Sequence, residues 1–345
     1  MYPLLRESQK YFKTQTNSWI FTLYSKLTVG ILSISFVLVS TYDYIDSGGS
    51  TIQCIADKKI GVSARTLNTF CWFSSTYTLP RHWTGRPGLA WGVGISSEAD
   101  ERVYHAYYQW VPYFIIFLIL LFSLPHFVWK NSHGDLLQNL TNGVKVEKLK
   151  VDQLAEYILN QNNTFLSGLI CLETVNTASV VLVIVLMDNL LGGNFYTYGL
   201  EVLLWQTQDS GDRVDPMSRI FPRMTKCDFF RFGPTGTIIN YDALCILGVN
   251  VLNEKIFLFL WFWLLLVAVL SSLLLLVRLL SSVSSTARKY LEKYYFPAHC
   301  LEHLNLCAEE WIMLQQLSLV TEKEFQRELI GEIAIRRKEK GDFIV

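Results

Sequence analysis

The chain has 345 residues, of which 51% are hydrophobic and only 17% are charged, and its formal net charge is zero. Soluble domains carry about 25% charged residues, so this composition indicates a membrane protein. The balanced charge gives no reason to expect a nucleic-acid partner. Residues 1–17 are polar and mildly basic, and we therefore expect no cleavable signal peptide.

Four apolar segments are predicted to cross the membrane as helices. About 20 helical residues cover a hydrocarbon core roughly 30 Å thick. The third segment is the weakest, because Asp188 and Gly192-Gly193 interrupt it. It is counted because the two long cysteine-bearing loops would otherwise lie on opposite sides of the membrane. The predicted spans are residues 19–42, 107–129, 178–198 and 256–280.

The first span carries four polar residues at helical spacing. They share roughly one helix face, and a polar face inside a membrane turns towards protein or water. The stripe therefore either bonds to neighbouring helices or lines a water-filled path. Lys26 either stands in that path, where a cation raises anion permeability, or snorkels to the inner interface. The stripe consists of Thr22, Lys26, Ser33 and Ser40.

The second span begins with the run Tyr107-Tyr108-Gln109-Trp110-Val111-Pro112. Tyr and Trp concentrate at membrane interfaces, so this run predicts an aromatic collar at one membrane surface. Pro112 is expected one turn inside the helix, where its missing N–H kinks a membrane helix. We therefore expect a kinked span whose collar holds the preceding loop at a fixed angle.

Two long loops, residues 43–106 and 199–255, each contain two of the 7 cysteines. Disulfides persist outside the cell and not in the cytosol, so this distribution predicts that both loops are extracellular. The alternative is free thiols or a zinc site, although no C-x-x-C pair is present. Spacing alone leaves the connectivity open. The cysteines are Cys54 and Cys71 in the first loop and Cys227 and Cys245 in the second.

The polar remainder comprises residues 1–18, 130–177 and 281–345. It carries more Lys and Arg than the two long loops, which favours cytoplasmic termini. The capping-box spacing from Thr321 to Glu324 predicts a helix in the tail. We expect the remaining cysteines to be reduced thiols without a role; they are Cys171, Cys300 and Cys307.

Several motifs carry a resemblance to one family. The run from Tyr107 to Val111 opens the second span, and the second loop contains Phe221 to Phe229, Gly233-Pro234-Thr235-Gly236 and Asp242-Ala243-Leu244-Cys245. Asn253-Glu254-Lys255-Ile256-Phe257 leads into the fourth span. These motifs are similar to those of innexins, the gap-junction proteins of invertebrates, and with Leu186-Met187-Asp188 and Trp311 the resemblance covers essentially the whole chain.

The resemblance implies an all-α membrane fold. Each subunit would have four transmembrane helices, a small disulfide-linked extracellular α/β domain and a helical cytoplasmic domain. Subunits, identical or mixed, would form a ring around a central pore, with eight the expected number. In the family the N-terminal segment folds into the pore as a funnel, which would bring residues 1–18 to the constriction; its first residues are Met1, Tyr2, Pro3 and Leu4.

The resemblance also implies the function and the disulfide pairing. Rings in the plasma membranes of adjacent cells would dock through the outer loops and pass ions and small metabolites. The expected bridges are Cys54–Cys245 and Cys71–Cys227, each linking the first loop to the second. No cofactor is implied, and no phosphate-loop, H-E-x-x-H or G-x-S-x-G motif suggests an enzyme.

Two other functions remain open from the sequence. One is an undocked channel of the plasma membrane that releases ATP-sized solutes. The other is a four-span adhesion or scaffold protein, although the chain lacks the C-C-G triplet of tetraspanins, and claudins have a smaller second outer loop.

Overall fold

The computed structural model describes residues 23–45, 52–55, 61–83, 91–97, 99–129, 151–160, 164–206, 215–296, 306–318 and 323–339. Within these residues, 4 helices are long and apolar enough to cross a membrane. A π-helical turn, Leu23–Leu27, leads into the first of them. The four helices are α1 (Thr28–Ile45), α3 (Val111–Trp129), α5 (Thr164–Leu190) and α8 (Val249–Val283).

The chain divides into two compact units, which we describe separately. The sheet unit comprises Gly30–Leu120 and Val180–Leu266, and the helical unit comprises the rest of the chain. The sheet unit contains β1 (Gln53–Ile55), α2 (Ala64–Ser74), β2 (Thr76–Thr78), β3 (Val103–His105), α6 (Phe195–Gln206), α7 (Pro216–Ile220), β4 (Met224–Phe232) and β5 (Ile238–Ile246).

The five strands form one antiparallel sheet in the order β1-β5-β4-β2-β3. Strands β4 and β5 are a hairpin from the second long loop, and they lie between strands from the first long loop. The hairpin turn uses Gly236, whose φ of 78° lies in the left-handed region that favours glycine. The Gly233 N–H donates to the Thr237 carbonyl across this turn over 2.8 Å. The sheet therefore joins two segments that are far apart in sequence.

The helical unit contains α4 (Val151–Leu159), α9 (Ser285–Tyr295), α10 (Ala308–Ser318) and α11 (Lys323–Glu339). Their apolar faces pack around Trp311 with the end of α3 and the start of α5. Helix α10 begins with a capping interaction, because the Cys307 N–H donates to Oε2 of Glu310 over 2.9 Å. Burial of this apolar cluster gives the unit a core of its own. Its largest members are Trp129, Phe165, Phe296 and Trp311.

The expected kink at Pro112 is wrong. Residues Tyr107–Gln109 form a 3₁₀ turn, and the α-helix begins only at Val111. Pro112 therefore lies in the first turn, where the backbone N–H has no helical partner in any case. The proline inside α3 is Pro125, for which the apolar pattern predicts no effect.

The third long helix starts earlier and ends earlier than the predicted span 178–198. Helix α5 runs from Thr164 to Leu190, and a turn with Gly192 and Gly193 at positive φ separates it from α6. Asp188 explains the interruption: its Oδ1 accepts hydrogen bonds from the N–H groups of Phe195 and Tyr196 at 2.9 and 3.2 Å. The carboxylate thus caps α6, a role that hydropathy does not reveal.

Candidate functional site

The two long loops are covalently joined in the sheet unit. Cys54 bonds to Cys245 between the paired strands β1 and β5, and Cys71 of α2 bonds to Cys227 of β4. All four residues are buried. The bridges link residues 191 and 156 positions apart, so each constrains a large loop of the unfolded chain. These are the pairs that the family resemblance implies.

The cystines also bear on the zinc alternative. The sulfur atoms of Cys54, Cys71 and Cys245 lie within 4.8 Å of one another, a spacing close enough for a shared metal. Zinc binds the thiolate form of cysteine, and a sulfur atom in a disulfide is no longer a thiolate. The cluster therefore consists of two neighbouring cystines, of which one joins β1 to β5 and the other joins α2 to β4.

A second, polar link connects the two loops at Asp228. Tyr77 of β2 donates from its hydroxyl to Oδ1 of Asp228 over 2.7 Å, and Arg102 donates to Oδ2 over 2.7 Å. The guanidinium also lies 4.7 Å from the centre of the Tyr77 ring, within cation–π range. Burial and the neighbouring carboxylate raise the pKa of Tyr77 above its ordinary value, so it remains a neutral donor.

Lys226 makes a third link from inside the sheet. Its side chain is buried, and its Nζ donates to the Gly94 carbonyl over 2.8 Å and lies 2.9 Å from a carboxylate oxygen of Asp242. Gly94 approaches His82 so closely that a Cβ atom at this position would overlap the imidazole ring. Residues 91–97 of the first loop are therefore clamped between a buried cation and a histidine.

The aromatic collar packs against both long loops within the sheet unit. Tyr107 and Tyr108 are buried, whereas Trp110 is 62% exposed. The Tyr107 ring contacts Phe221 edge-on at 5.4 Å between ring centres, and Phe221 lies 5.3 Å from Phe257 of α8. The Gln109 amide donates to the Trp72 carbonyl at the end of α2. The collar thus connects α3 to both loops within the sheet unit.

The polar stripe of the first span lies away from the packed face of its helix. Lys26, Ser33 and Ser40 are half-buried, while the fully buried polar residues of the helix are others. Thr28 and Ser35 donate their hydroxyls to the carbonyls of Leu23 and Ile31 at 3.0 and 2.9 Å. Met1, Tyr2, Pro3, Leu4 and Thr22 lie outside the described residues.

The comparisons with known proteins point to one family. A model of the innexin family matches residues 17–336. The chain belongs to the innexins. It is 35% identical over 345 residues to innexin inx2 of Schistocerca americana, covering 94% of this chain and 94% of that relative. It is 33% identical over 352 residues to innexin shaking-B of Drosophila melanogaster, covering 96% and 93%, and 35% identical over 294 residues to innexin inx3 of the same species, covering 81% and 73%.

Family membership confirms the expected fold class and function. Innexins are subunits of oligomeric gap-junction channels, and this innexin is a multi-pass membrane protein with four apolar helices, a disulfide-linked sheet and a helical C-terminal part. The structure also adds residues that sequence reasoning did not assign. Lys226 and Asp228 flank Cys227 in the motif that carries the resemblance. Their position beside this cysteine is the sequence feature that could have identified them as functional residues. Tyr77 and Arg102 had no such signal.

Proposed function

We propose that eight subunits of this innexin form a ring, and that rings from two adjacent cells dock head to head through their sheet units. The observation that supports the proposal is the interleaved sheet, in which two disulfides and the polar contacts of Asp228 and Lys226 join the two outer loops. Rigid loops favour docking, because any disorder that must be lost on association opposes it. Ions and small metabolites then pass between the two cytoplasms.

The orientation proposed is termini inside and sheet unit outside. Lys and Arg are more frequent in the N-terminal, central and C-terminal polar segments than in the two long loops, and cytoplasmic segments of membrane proteins carry such an excess. The cystines favour the same orientation, because disulfides persist in the extracellular environment. Neither long loop contains an N-glycosylation sequon, so no glycan would obstruct the docking face.

The docking face that we favour is the outer half of the β4–β5 hairpin. Strand β1 pairs only with residues 244–246 of β5, and β2 meets β4 at Lys226. Among the described strands, the outer half of the hairpin therefore pairs only with itself. It exposes Phe230, Phe232 and Ile238, which are 44%, 68% and 60% accessible. Phe70 of α2 contacts Phe230, but the apolar side chains of Phe232 and Ile238 stay exposed on a two-stranded ribbon, which favours a partner that covers them.

For the conducting path we propose residues 1–18 together with the stripe Thr22, Lys26, Ser33 and Ser40. The half-buried state of Lys26, Ser33 and Ser40 supports this role, because residues that line water should stay off the packed face of α1. A ring of Lys26 side chains would favour anions. Ion-selectivity measurements on Lys26→Gln test this, and an unchanged anion-to-cation ratio would leave Lys26 as an interfacial residue.

Junctional conductance tests the proposal as a whole. We expect paired oocytes that express the full chain to conduct, and Phe232→Asp to abolish junctional conductance, because a charge would be buried at the docked face. Currents through undocked channels in single oocytes should remain. The release channel would be supported by a different result for the wild type. Single cells would take up dye at low external calcium, and contacting cells would transfer none.

A further inference from the structure

Arg278 is a charged residue within the apolar helix α8, and its side chain is buried. It is 4% exposed, whereas its neighbours Leu276 and Leu280 are each 52% exposed. Helix α8 thus turns its cation towards protein and its leucines outward, the reverse of a helix in water. Ionisable residues inside membrane helices are costly to bury, so they are a strong indication of function.

One guanidinium contacts two other helices of the helical unit. Nε of Arg278 lies 3.0 Å from Oε1 of Glu173 in α5, and Nη1 donates to Oε1 of Gln315 in α10 over 2.6 Å. Glu173 and Gln315 are themselves buried. The carboxylate neutralises the cation, and the amide supplies a second acceptor in another direction. The planar guanidinium presents its N–H donors in fixed directions that meet both partners, whereas a lysine ammonium is a compact point charge without this fixed geometry.

Helix α10 is attached to α5 at a second point. Oε1 of Glu309, in the first turn of α10, accepts a hydrogen bond from the Phe165 N–H at the start of α5 over 3.3 Å. Glu310, next along α10, pairs with Arg337 of α11. We call α9, α10 and α11, which all follow α8, the tail bundle. The tail bundle therefore contacts α5 near its beginning and contacts α8 at Arg278, which itself pairs with Glu173 of α5.

We propose that Arg278 is a positioning residue through which the tail bundle sets the relative position of α5 and α8, and with it the balance between open and closed channels. The proposal rests on the channel function. The pair with Glu173 holds the two spans together, and the bond to Gln315 makes that arrangement depend on where α10 lies. A displacement of α10 would leave a buried guanidinium N–H without its acceptor, a cost that favours a different arrangement of the spans.

The test is Gln315→Leu, which removes the acceptor on α10 and leaves the Arg278–Glu173 pair intact. The matched control is Gln316→Leu, because Gln316 is as well buried one position further along and none of its described contacts involves Arg278. We expect Gln315→Leu to change the ratio of open to closed channels by about tenfold, since a hydrogen bond to a charged group contributes this much or more. The readout is the voltage dependence of macroscopic current at matched surface expression.

Three outcomes separate the possibilities. A shift in Gln315→Leu and not in Gln316→Leu supports the proposal, and equal behaviour of the two variants overturns it. If Gln315→Leu does not reach the membrane, Gln315→Met repeats the test with an unbranched side chain, and an unshifted voltage dependence there also overturns it. If the wild type carries no current in either paired or single cells, the proposed function fails first, which is distinguishable from wild-type current that Gln315→Leu leaves unchanged.

Discussion

The indole ring of Trp261 packs directly on the backbone of Gly199, and a Cβ atom at residue 199 would overlap the six-membered ring. The Trp261 Nε1 donates to the Tyr196 carbonyl over 3.2 Å, which fixes the ring against α6. Helices α6 and α8 therefore approach each other closely only because residue 199 has no side chain. The contact therefore joins α6 to α8 within the sheet unit.

Gly199→Ala should destabilise the protein despite the better helix propensity of alanine. Overpacking a close contact costs about 1–3 kcal/mol, which exceeds the gain from replacing glycine in a helix. The control is Gly331→Ala in α11, where a Cβ atom would meet nothing within 4 Å. We expect the thermal midpoint of the purified protein to fall for Gly199→Ala and to stay equal or rise for Gly331→Ala. A rise for both would mean that Trp261 moves aside at little cost.

Removal of either disulfide should abolish cell-to-cell coupling. Cys71→Ser frees α2 from β4, and loss of a native disulfide typically costs 2–5 kcal/mol. The measurement is junctional conductance in paired oocytes, with surface labelling to confirm delivery. Cys171→Ser serves as the control, because Cys171 is a free, exposed cysteine. Normal coupling by Cys71→Ser would show that the polar links at Asp228 and Lys226 are sufficient.

Lys226→Met should release residues 91–97 of the first loop without breaking a disulfide. The substitution removes the bond to the Gly94 carbonyl and leaves Asp242 without the buried cation. Because Asp242 is 60% exposed, its carboxylate is solvated in the variant, and the expected loss of about 1–3 kcal/mol comes from the Gly94 carbonyl, which loses a charged donor. Hydrogen exchange of residues 91–97 should rise several-fold, while exchange of the β4–β5 pairs at the cystines changes little. Equal protection in wild type and variant would contradict the clamp.

Acid should weaken the sheet unit through His105. Its imidazole is buried and bonds to the Thr78 hydroxyl over 2.9 Å, and burial lowers the pKa of His105 to about 4. The unfolded state has the higher pKa, about 6.5, so it takes up the proton first as the pH falls. Stability is therefore full above pH 6.5 and is lost progressively towards pH 4. In His105→Gln the thermal midpoint should depend less on pH in this window, and an equal pH dependence would assign the effect to other groups.

The two prolines of the second span should behave differently. Pro112 lies in the first turn of α3, so Pro112→Ala should leave junctional conductance and voltage gating nearly unchanged. Pro125 lies inside the helix, where its missing N–H leaves the Leu121 carbonyl without a helical donor. Pro125→Ala restores that bond, and we expect it to alter voltage gating. If instead Pro112→Ala alters voltage gating and Pro125→Ala does not, the functional bend of α3 would lie at the collar.

Local patterns predicted much of this molecule, and long-range contacts explain what they missed. Hydropathy located four spans, and the cysteine distribution separated the paired residues from Cys171 and Cys307. The predicted ends of the third span are wrong. Asp188 caps the next helix, and Glu173, inside the observed helix, is neutralised by Arg278. Periodicity along one helix cannot show such partners, since they come from another part of the chain.

The same limit applies to the candidate site. The run around Cys227 was recognised as a motif, but the roles of Lys226 and Asp228 depend on Gly94, Tyr77 and Arg102, which lie more than a hundred residues earlier. Pro112 was misjudged for a different reason. The 3₁₀ turn Tyr107–Gln109 precedes the helix, and helix starts shift by a few residues in any reading of apolar pattern.

Electron microscopy of the purified full-length particle tests the central claim most directly. In end-on views the account predicts rings of eight subunits around a central channel. In side views it predicts two rings joined through their sheet units, with the β4–β5 hairpins at the junction. Rings that stay single under all conditions, or that pair through the helical units, would contradict it.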